Sequence, residues 1–317
     1  MSGLRSIATE LRTSLEIRIE PEADVIRDPR PIPSENLCAK VLVRVGAIRG
    51  LNLRGDRREE AVDSDDPYRI FRSAFASKTV RSAWTKSYGD QFWEASDPPL
   101  SQTTIDDIKF LTERLRPGSE TKLADLGCGS GCVGRYLAKD FDTDVEGIDA
   151  NPLAIRMADE LTVTSGTAQR LRFKTADILN TGWSDRSFDG ALSMDVLLFV
   201  PDKRAALQEV ARILKLGGRF VGTTWELRAD SAALSAPAFD EYPSAFRDAG
   251  FTIEVYEETR NWKSLLTNAL AALVASEDAV RKEVEGPRAE LLLAWARARP
   301  AELEHSRRVR FSVQRSV

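Results

Sequence analysis

Short apolar runs rich in β-branched and aromatic residues alternate with amphipathic stretches over residues 120–258 of this 317-residue chain. In the amphipathic stretches, apolar residues recur every three or four positions, which predicts helices between strands. Such alternation is typical of an α/β domain built on a mostly parallel sheet. Strands are predicted at Lys122–Leu126, Thr143–Asp149, Leu171–Thr175, Phe188–Met194, Arg219–Thr224 and Thr252–Glu258, with helices at Val133–Lys139, Leu153–Val163 and Lys203–Leu214.

Local signals mark the ends of some of these elements. Asn151 followed by Pro152 is a helix-start signal, in which a capping residue precedes a first-turn proline. Residues Lys215–Gly218 end in two glycines and predict a helix stop. Near the C-terminus, Ser306–Arg315 alternates polar and apolar residues, which predicts a last strand antiparallel to its neighbour.

Two regions fall outside this pattern. Residues 1–83 combine a helical stretch with two alternating segments, which predicts an N-terminal arm or a small subdomain ahead of a main domain at 84–317. Residues 260–305 keep apolar residues at helical spacing, which predicts a helical insertion before the last strand.

Composition excludes several classes of function. A formal net charge of −4 argues against a nucleic-acid partner, because such binders usually carry a basic excess. No apolar run is long enough to cross a membrane and none resembles a secretory signal, so we expect a cytoplasmic protein without a membrane partner. With His305 as the only histidine, we expect no protein metal site.

The glycine-rich stretch "LADLGCGSGC" follows the first predicted strand. A dinucleotide site requires G-x-G-x-x-G/A, but here Cys132 occupies the third position of that pattern. Asp125, two residues before the first glycine, would repel a pyrophosphate and would attract an amino group. The turn therefore favours a nucleoside ligand that carries no phosphate. Cys128 and Cys132 are interpreted as small side chains fitting a crowded turn rather than as reactive thiols.

Two further acids follow the next two strands. Asp149 lies about 20 residues after the first glycine, where a carboxylate can accept both hydroxyls of an unphosphorylated ribose. The alternative is that Asp149 only caps the next helix. Asp177 can accept from an adenine amino group while Ile178 packs on the ring, although Asp177 taken alone is more typical of a solvated turn.

The segments "DLGCGSG", "GIDAN", "ADIL", "FDGALSMDVLLFV" and "LKLGGRFVGTTWE", in that order, resemble the class I S-adenosylmethionine-dependent methyltransferases over residues 121–258. The resemblance implies a Rossmann-like fold with seven strands in the order 3-2-1-4-5-7-6. It also implies that the last strand is antiparallel and that helices cover both faces of the sheet.

The same resemblance implies roles for individual residues. Asp125 would face the methionine amino group, Asp149 would hold the ribose hydroxyls, and Asp177 would meet the adenine. Ser193 and Met194 would border the methyl group. Cofactor contacts are implied at Asp125, Gly127, Cys128, Gly129, Asp149, Ala150, Asp177, Ile178, Ser193 and Met194.

Segments above the carboxyl ends of the strands are expected to line the substrate pocket. Tyr88 and Trp93 resemble an aromatic lid over the cofactor, with ordinary core packing as the alternative. The 260–305 insertion is interpreted as a substrate lid. Glu226 and His305 are hypothesised to act as a general base, with Asp195 a comparable candidate; the alternative is a hydrogen-bonded residue at the rim.

The sequence thus predicts an S-adenosylmethionine-dependent methyltransferase acting on an N, O or C nucleophile of a small molecule, in bacterial specialised metabolism. Homodimerisation through the arm or the insertion is included in this hypothesis. Two alternatives stay open. One is another adenosylmethionine enzyme that transfers the aminocarboxypropyl arm or catalyses a cyclisation, and the other is a cofactor-sensing binding protein.

Overall fold

The computed structural model describes residues 77–88, 102–227, 239–284 and 286–316. Trp93 and residues 1–76 of the predicted arm lie outside these ranges. The strands are β1 (Lys122–Leu126), β2 (Asp144–Asp149), β3 (Leu171–Thr175), β4 (Phe188–Met194), β5 (Leu214–Leu227), β6 (Phe251–Glu258) and β7 (Ser306–Arg315). The α-helices are α1 (Lys78–Tyr88), α2 (Ile105–Leu115), α3 (Cys132–Phe141), α4 (Pro152–Ser165), α5 (Lys203–Ile213), α6 (Tyr242–Asp248), α7 (Trp262–Ala275), α8 (Glu277–Glu283) and α9 (Gly286–Glu302).

The strands form one sheet in the order β3-β2-β1-β4-β5-β7-β6. The neighbouring pairs from β3 to β5 are parallel, whereas β7 is antiparallel to both β5 and β6. The predicted strand order and the predicted direction of the last strand are therefore confirmed. The strand order reverses between β1 and β4, and ligands of open parallel sheets bind beyond the carboxyl ends at such a point.

Strand β5 is longer at both ends than the predicted Arg219–Thr224. Leu214 already pairs with Phe188, and Leu227 still pairs with Ser306 at the other end. The predicted helix end is confirmed to within one residue, because α5 ends at Ile213, but Lys215–Gly218 belong to the strand. Sequence reasoning missed the extension because two adjacent glycines are unusual inside a strand.

Apolar side chains alternate between the two faces of the sheet and pack against helices on each face. On one face, Phe220 and Phe311 pack with Tyr242 and Phe246 of α6. On the other face, Leu123 and Val145 of the sheet pack with Leu111 of α2 and Leu137 of α3. The expected arrangement of helices on both faces is thereby confirmed.

A third apolar cluster joins α1 to the helical insertion. It contains Trp84 of α1, Leu270 of α7 and Leu293 of α9, together with Trp225 at the end of β5. Glu283 of α8 accepts hydrogen bonds from the backbone and hydroxyl of Thr79 at 2.9 and 2.8 Å. We call α1, α7, α8 and α9 the helical cap; it covers the end of β5.

The position of α1 in the helical cap was not predicted. Helix α1 runs across residues 83 and 84, where the sequence predicted the boundary of the arm. Its apolar residues Val80, Ala83 and Trp84 are buried in the cap's core. No helix within the described ranges is both long and apolar enough to cross a membrane.

Candidate functional site

The turn between β1 and α3 uses its three glycines for different purposes. All three have left-handed backbone angles, with φ of +77° at Gly127, +55° at Gly129 and +78° at Gly131, a region that favours glycine. A Cβ atom on Gly127 would lie 2.4 Å from Val196, and one on Gly131 would lie 2.6 Å from Phe173. A Cβ on Gly129 would meet no atom of the described residues within 4 Å. Gly127 and Gly131 thus allow neighbouring side chains to pack closely against the turn. At Gly129 the space beside the backbone is open.

Hydrogen bonds hold this turn against the end of β2. The backbone N–H groups of Gly127 and Cys128 donate to the carbonyl of Ile148 at 2.8 and 2.9 Å. The N–H of Gly129 donates to the Asp149 carboxylate at 3.0 Å. The carboxyl ends of β1 and β2 are therefore joined through the glycine turn.

Asp125 carries a buried carboxylate beside this turn. Its residue is only 3% exposed, and Oδ2 has no hydrogen-bond partner among the described residues. Burial, and to a lesser extent the charge of Asp149, raises the pKa of Asp125 to about 7. A buried carboxylate without a partner is unfavourable, and pKa values perturbed in this way cluster at functional sites. A cationic group would supply the partner that Asp125 lacks.

Asp149, at the end of β2, is partly exposed and bonded to two backbone groups. Besides the bond from Gly129, its Oδ1 accepts the N–H of Asn151 at 2.8 Å, just ahead of α4. Asp149 thus helps to shape the start of that helix, as the alternative interpretation held. The same contacts fix the direction of its carboxylate at the edge of the glycine turn.

The residues predicted to meet an adenine follow β2 and β3. Asp177 is exposed and accepts the N–H of Leu179 at 2.9 Å, so it has the local hydrogen bond of a turn residue. Ala150 is exposed, while Ile178 is buried in the core beside α5. The three acids therefore stand at the ends of three adjacent strands, in the predicted order.

Ser193 and Met194, at the end of β4, are buried. The hydroxyl of Ser193 donates to the carbonyl of Leu126 at 3.0 Å and joins the end of β4 to the end of β1. Met194 packs with the apolar cluster around α2 and α3. The structure thus places both residues at the predicted edge of the sheet and gives Ser193 a structural bond.

Both cysteines of the turn are protonated at neutral pH. Burial raises the pKa of Cys128 well above its usual value and that of Cys132 to about 12. Because the thiolate is the reactive form, neither residue has the character of a nucleophile. Their environment favours the interpretation of Cys128 and Cys132 as small packing residues.

A buried ion cluster lies next to the end of β4, and sequence reasoning missed most of it. Arg308 of β7 is 1% exposed and makes two 3.0 Å bonds to the carboxylate of Asp195. Its Nη1 makes a third bond of 3.0 Å to Asp107 of α2. Burial alone would lower the pKa of Arg308, but the two carboxylates outweigh it and raise that pKa. Asp195 also has a left-handed φ of +58°.

One signal in the sequence pointed to part of this cluster. Thr104 and Asp107 form a capping box at the start of α2, which the spacing of a threonine and an acid three residues later indicates. Arg308 carried no comparable signal, because the alternating arginines of β7 are equally typical of an exposed edge.

The two residues hypothesised as bases occupy different environments. Glu226 is 8% exposed, accepts the hydroxyl of Tyr256, and pairs with Arg307 at 3.1 Å. Side chains alternate along β5, so Glu226 faces away from the helical cap into which the adjacent Trp225 packs. His305 is partly exposed and directly precedes β7, as predicted, at the edge where the cap rejoins the sheet.

Comparison with known proteins agrees with this geometry. A family model described as a methyltransferase domain matches residues 124–222, from β1 to the middle of β5. The chain therefore contains a domain similar to the class I S-adenosylmethionine-dependent methyltransferases. The glycine turn and the acids Asp125, Asp149 and Asp177 all lie inside the matched part of the chain.

Several characterised methyltransferases are similar in sequence. The 27-O-demethylrifamycin SV methyltransferase of Amycolatopsis mediterranei is 24% identical over 231 residues, which cover 68% of this chain and 85% of that protein. The chloroplastic tocopherol O-methyltransferase of Arabidopsis thaliana is 30% identical over 169 residues, 48% of this chain and 49% of that one. The chain thus spans about half the length of some of the curated relatives it matches.

Solved structures share the fold. The [4+2]-cyclase SpnF superposes with a TM-score of 0.61 at 21% identity, covering 75% of this chain and 93% of that one. Phosphoethanolamine N-methyltransferase 2 of Haemonchus contortus superposes with a TM-score of 0.62 at 16% identity, covering 80% of this chain and 61% of that one. At such identities the likeness concerns the fold alone.

Proposed function

We propose that this protein transfers a methyl group from S-adenosylmethionine to an N, O or C nucleophile of a small molecule. The observation that carries the proposal is the buried Asp125 carboxylate, which has no partner among the described residues and lies next to the open backbone of Gly129. The match of residues 124–222 to a methyltransferase domain gives this site its expected ligand.

The residues of the turn fit the methionine part of that ligand. Asp125 in its ionised form accepts hydrogen bonds from the ligand's ammonium group, and this contact offsets the cost of burying the carboxylate. Gly129 leaves room for the methionine part to approach the backbone. When bound, S-adenosylmethionine supplies a methyl group on a positively charged sulfur.

The neighbouring acids fit the nucleoside part. Asp149 is held at the edge of the turn by backbone bonds and accepts the two ribose hydroxyls. Asp177 accepts the adenine amino group, and Ala150 and Ile178 border the ring. Ser193 holds the end of β4 against β1, and Met194 borders the transferred methyl group.

The helical cap supports a small acceptor. It covers the end of β5 with a core of aromatic and aliphatic side chains, Trp225 and Trp262 among them. Methyl transfer from a sulfonium benefits from a dry site in which the two reactants are already oriented. Relatives named for action on tocopherol and on a rifamycin are consistent with a small acceptor and with a role in specialised metabolism.

The proposal is tested by incubating the full chain with methyl-deuterated S-adenosylmethionine and bacterial metabolite extracts. The expected result is release of S-adenosylhomocysteine together with a product heavier by one deuterated methyl group. A product carrying a different fragment of the cofactor would overturn the methyl-transfer assignment. Calorimetric binding of the cofactor without turnover on any extract would identify a cofactor-sensing protein instead.

A further inference from the structure

A second cavity lies outside the cofactor turn. It has a volume of about 560 Å³ and is bounded by α2, by the start of α7 and by the face of β7. Phe110, Trp262 and Leu265 contribute apolar walls, and Tyr88 and Gln102 contribute polar groups. Most of the other lining residues are polar or charged, and the volume of the cavity lies within the range of small-molecule sites.

Two oxygen atoms of the lining are buried without a hydrogen-bond partner among the described residues. They are the hydroxyl oxygen of Tyr88 and Oε1 of Gln102. Burial raises the pKa of Tyr88 above its usual value, so its phenol stays protonated and keeps an O–H donor. Oε1 of Gln102 is an acceptor. Buried polar atoms normally have partners, so this pair points to a ligand that supplies them.

One residue of the lining, Gln102, is linked to the edge of the proposed cofactor site through Asp195. The backbone N–H of Gln102 donates to the Asp195 carboxylate at 3.2 Å. Asp195 directly follows Met194 at the end of β4, and that strand end is joined to the end of β1 by the bond from Ser193 to Leu126. A ligand held by Gln102 therefore lies on the side of β4 where the methyl group is expected.

The ion cluster at the inner end of the cavity disfavours an anionic ligand. There the single positive charge of Arg308 faces two carboxylates, Asp107 and Asp195, which leaves one net negative charge. Arg310 is paired with Glu257. The other charged side chains of the lining balance one another: Lys109, Arg260, Asp106 and Glu113.

We infer, on the basis of the proposed function, that this cavity receives the methyl acceptor and that the acceptor is an uncharged molecule presenting a hydroxyl or a neutral amine. Such a group donates to Oε1 of Gln102 and accepts from the hydroxyl of Tyr88, so both buried oxygens gain partners. Its apolar body packs against Phe110 and Leu265. A carboxylate would have no proton for Gln102 and would face the net negative charge.

The test compares three probes of one shape: naphthol, methoxynaphthalene and naphthoate, each substituted at the same ring position. Their dissociation constants are measured by ligand-observed NMR on the full chain saturated with S-adenosylhomocysteine. The dissociation constant of naphthol is expected to be about three- to tenfold lower than those of the other two probes. This ratio is the one expected for one or two hydrogen bonds. Gln102→Leu should remove most of the preference for naphthol over methoxynaphthalene and leave methoxynaphthalene unchanged. Tyr88→Phe should weaken the binding of both probes, because the oxygen of each accepts from the Tyr88 hydroxyl.

Tyr136→Phe is the matched control, because Tyr136 of α3 packs edge-on against Phe141 and does not line the cavity. It should leave all three dissociation constants unchanged, and thermal unfolding verifies that each variant is folded. Equal binding of the three probes, or a preference for naphthoate, would overturn the inference. Failure of S-adenosylhomocysteine to bind in the same samples would instead overturn the proposed function.

Discussion

At the scale of single residues, the proposed cofactor site is built around an unfavourable group. Asp125 is buried with an oxygen that has no partner among the described residues, and Asp149 adds a second negative charge nearby. The fold without ligand therefore carries a cost that a cationic ligand offsets. The position of both acids was predictable from sequence, because each lies at the carboxyl end of a predicted strand. The unpartnered state of Asp125 was not, since it depends on side chains packed around it from elsewhere in the chain.

Asp125→Asn is expected to weaken S-adenosylmethionine binding and to leave the fold at least as stable. Losing a charge-assisted bond to an ammonium group corresponds to about 1.5–3 kcal/mol, or roughly 10- to 150-fold in the dissociation constant. The free energy of unfolding at neutral pH should stay the same or rise, because a buried charge is removed. Calorimetry and denaturant titration measure the two effects.

The control is Asp140→Asn, an exposed change on α3, which should alter neither cofactor affinity nor stability. Unchanged cofactor affinity in Asp125→Asn would refute the contact between Asp125 and the ammonium group.

The raised pKa of Asp125 also predicts opposite pH dependences for stability and binding. Its folded-state pKa of about 7 lies above the ordinary value of 3.8. Its contribution to the free energy of unfolding is thus complete below about pH 4 and is lost as the pH rises through about 7. Binding to an ammonium group needs the ionised form, so cofactor affinity should rise over the same range. Calorimetry from about pH 5 to pH 7 checks this, and Asp125→Asn should flatten the profile. A flat profile in the unchanged protein would contradict it.

At the scale of elements, the three glycines of the turn from β1 to α3 have different structural roles. The sequence was enough to place the turn and to show that it departs from a dinucleotide pattern. It did not show which glycine serves packing, because Val196 and Phe173 reach the turn from distant parts of the chain. Of the three glycines, Gly129 is the one at which a Cβ would meet no described atom within 4 Å, so it offers open backbone to a ligand.

Alanine substitutions at Gly127 and Gly129 should therefore separate stability from binding. Both place a Cβ at positive φ, which costs about 1–2 kcal/mol. Gly127→Ala also forces a contact with Val196, which adds about 1–3 kcal/mol to the loss in free energy of unfolding. Gly129→Ala should lose only the free energy of unfolding that the positive φ costs. It should also weaken cofactor binding, because its methyl group enters the open space. Denaturant titration and calorimetry on both variants measure this; stronger destabilisation by Gly129→Ala than by Gly127→Ala would contradict the assignment.

At the scale of the whole molecule, the buried ion cluster joins parts of the chain that lie far apart in sequence. Arg308 is 113 residues from Asp195 and 201 residues from Asp107. Its carbonyl also accepts the N–H of Thr259 at 2.9 Å, so the two ends of the helical insertion meet there. Local patterns predict strands, helices and turns, which depend on neighbours in sequence. They do not predict a salt bridge whose partners are brought together only by the completed sheet, and for that reason the cluster was missed.

Arg308→Met is expected to destabilise the protein strongly, because it leaves two buried carboxylates without a cation. Removing one partner of a buried ion pair costs about 3–5 kcal/mol. Arg310→Met is the matched control on the same strand: its pair with Glu257 is more exposed, and its stacking on Phe110 adds little, so the loss should not exceed about 2 kcal/mol. Denaturant titration at neutral pH compares the two variants. Equal losses in the two variants would show that the buried cluster contributes no more stability than the exposed pair of Arg310.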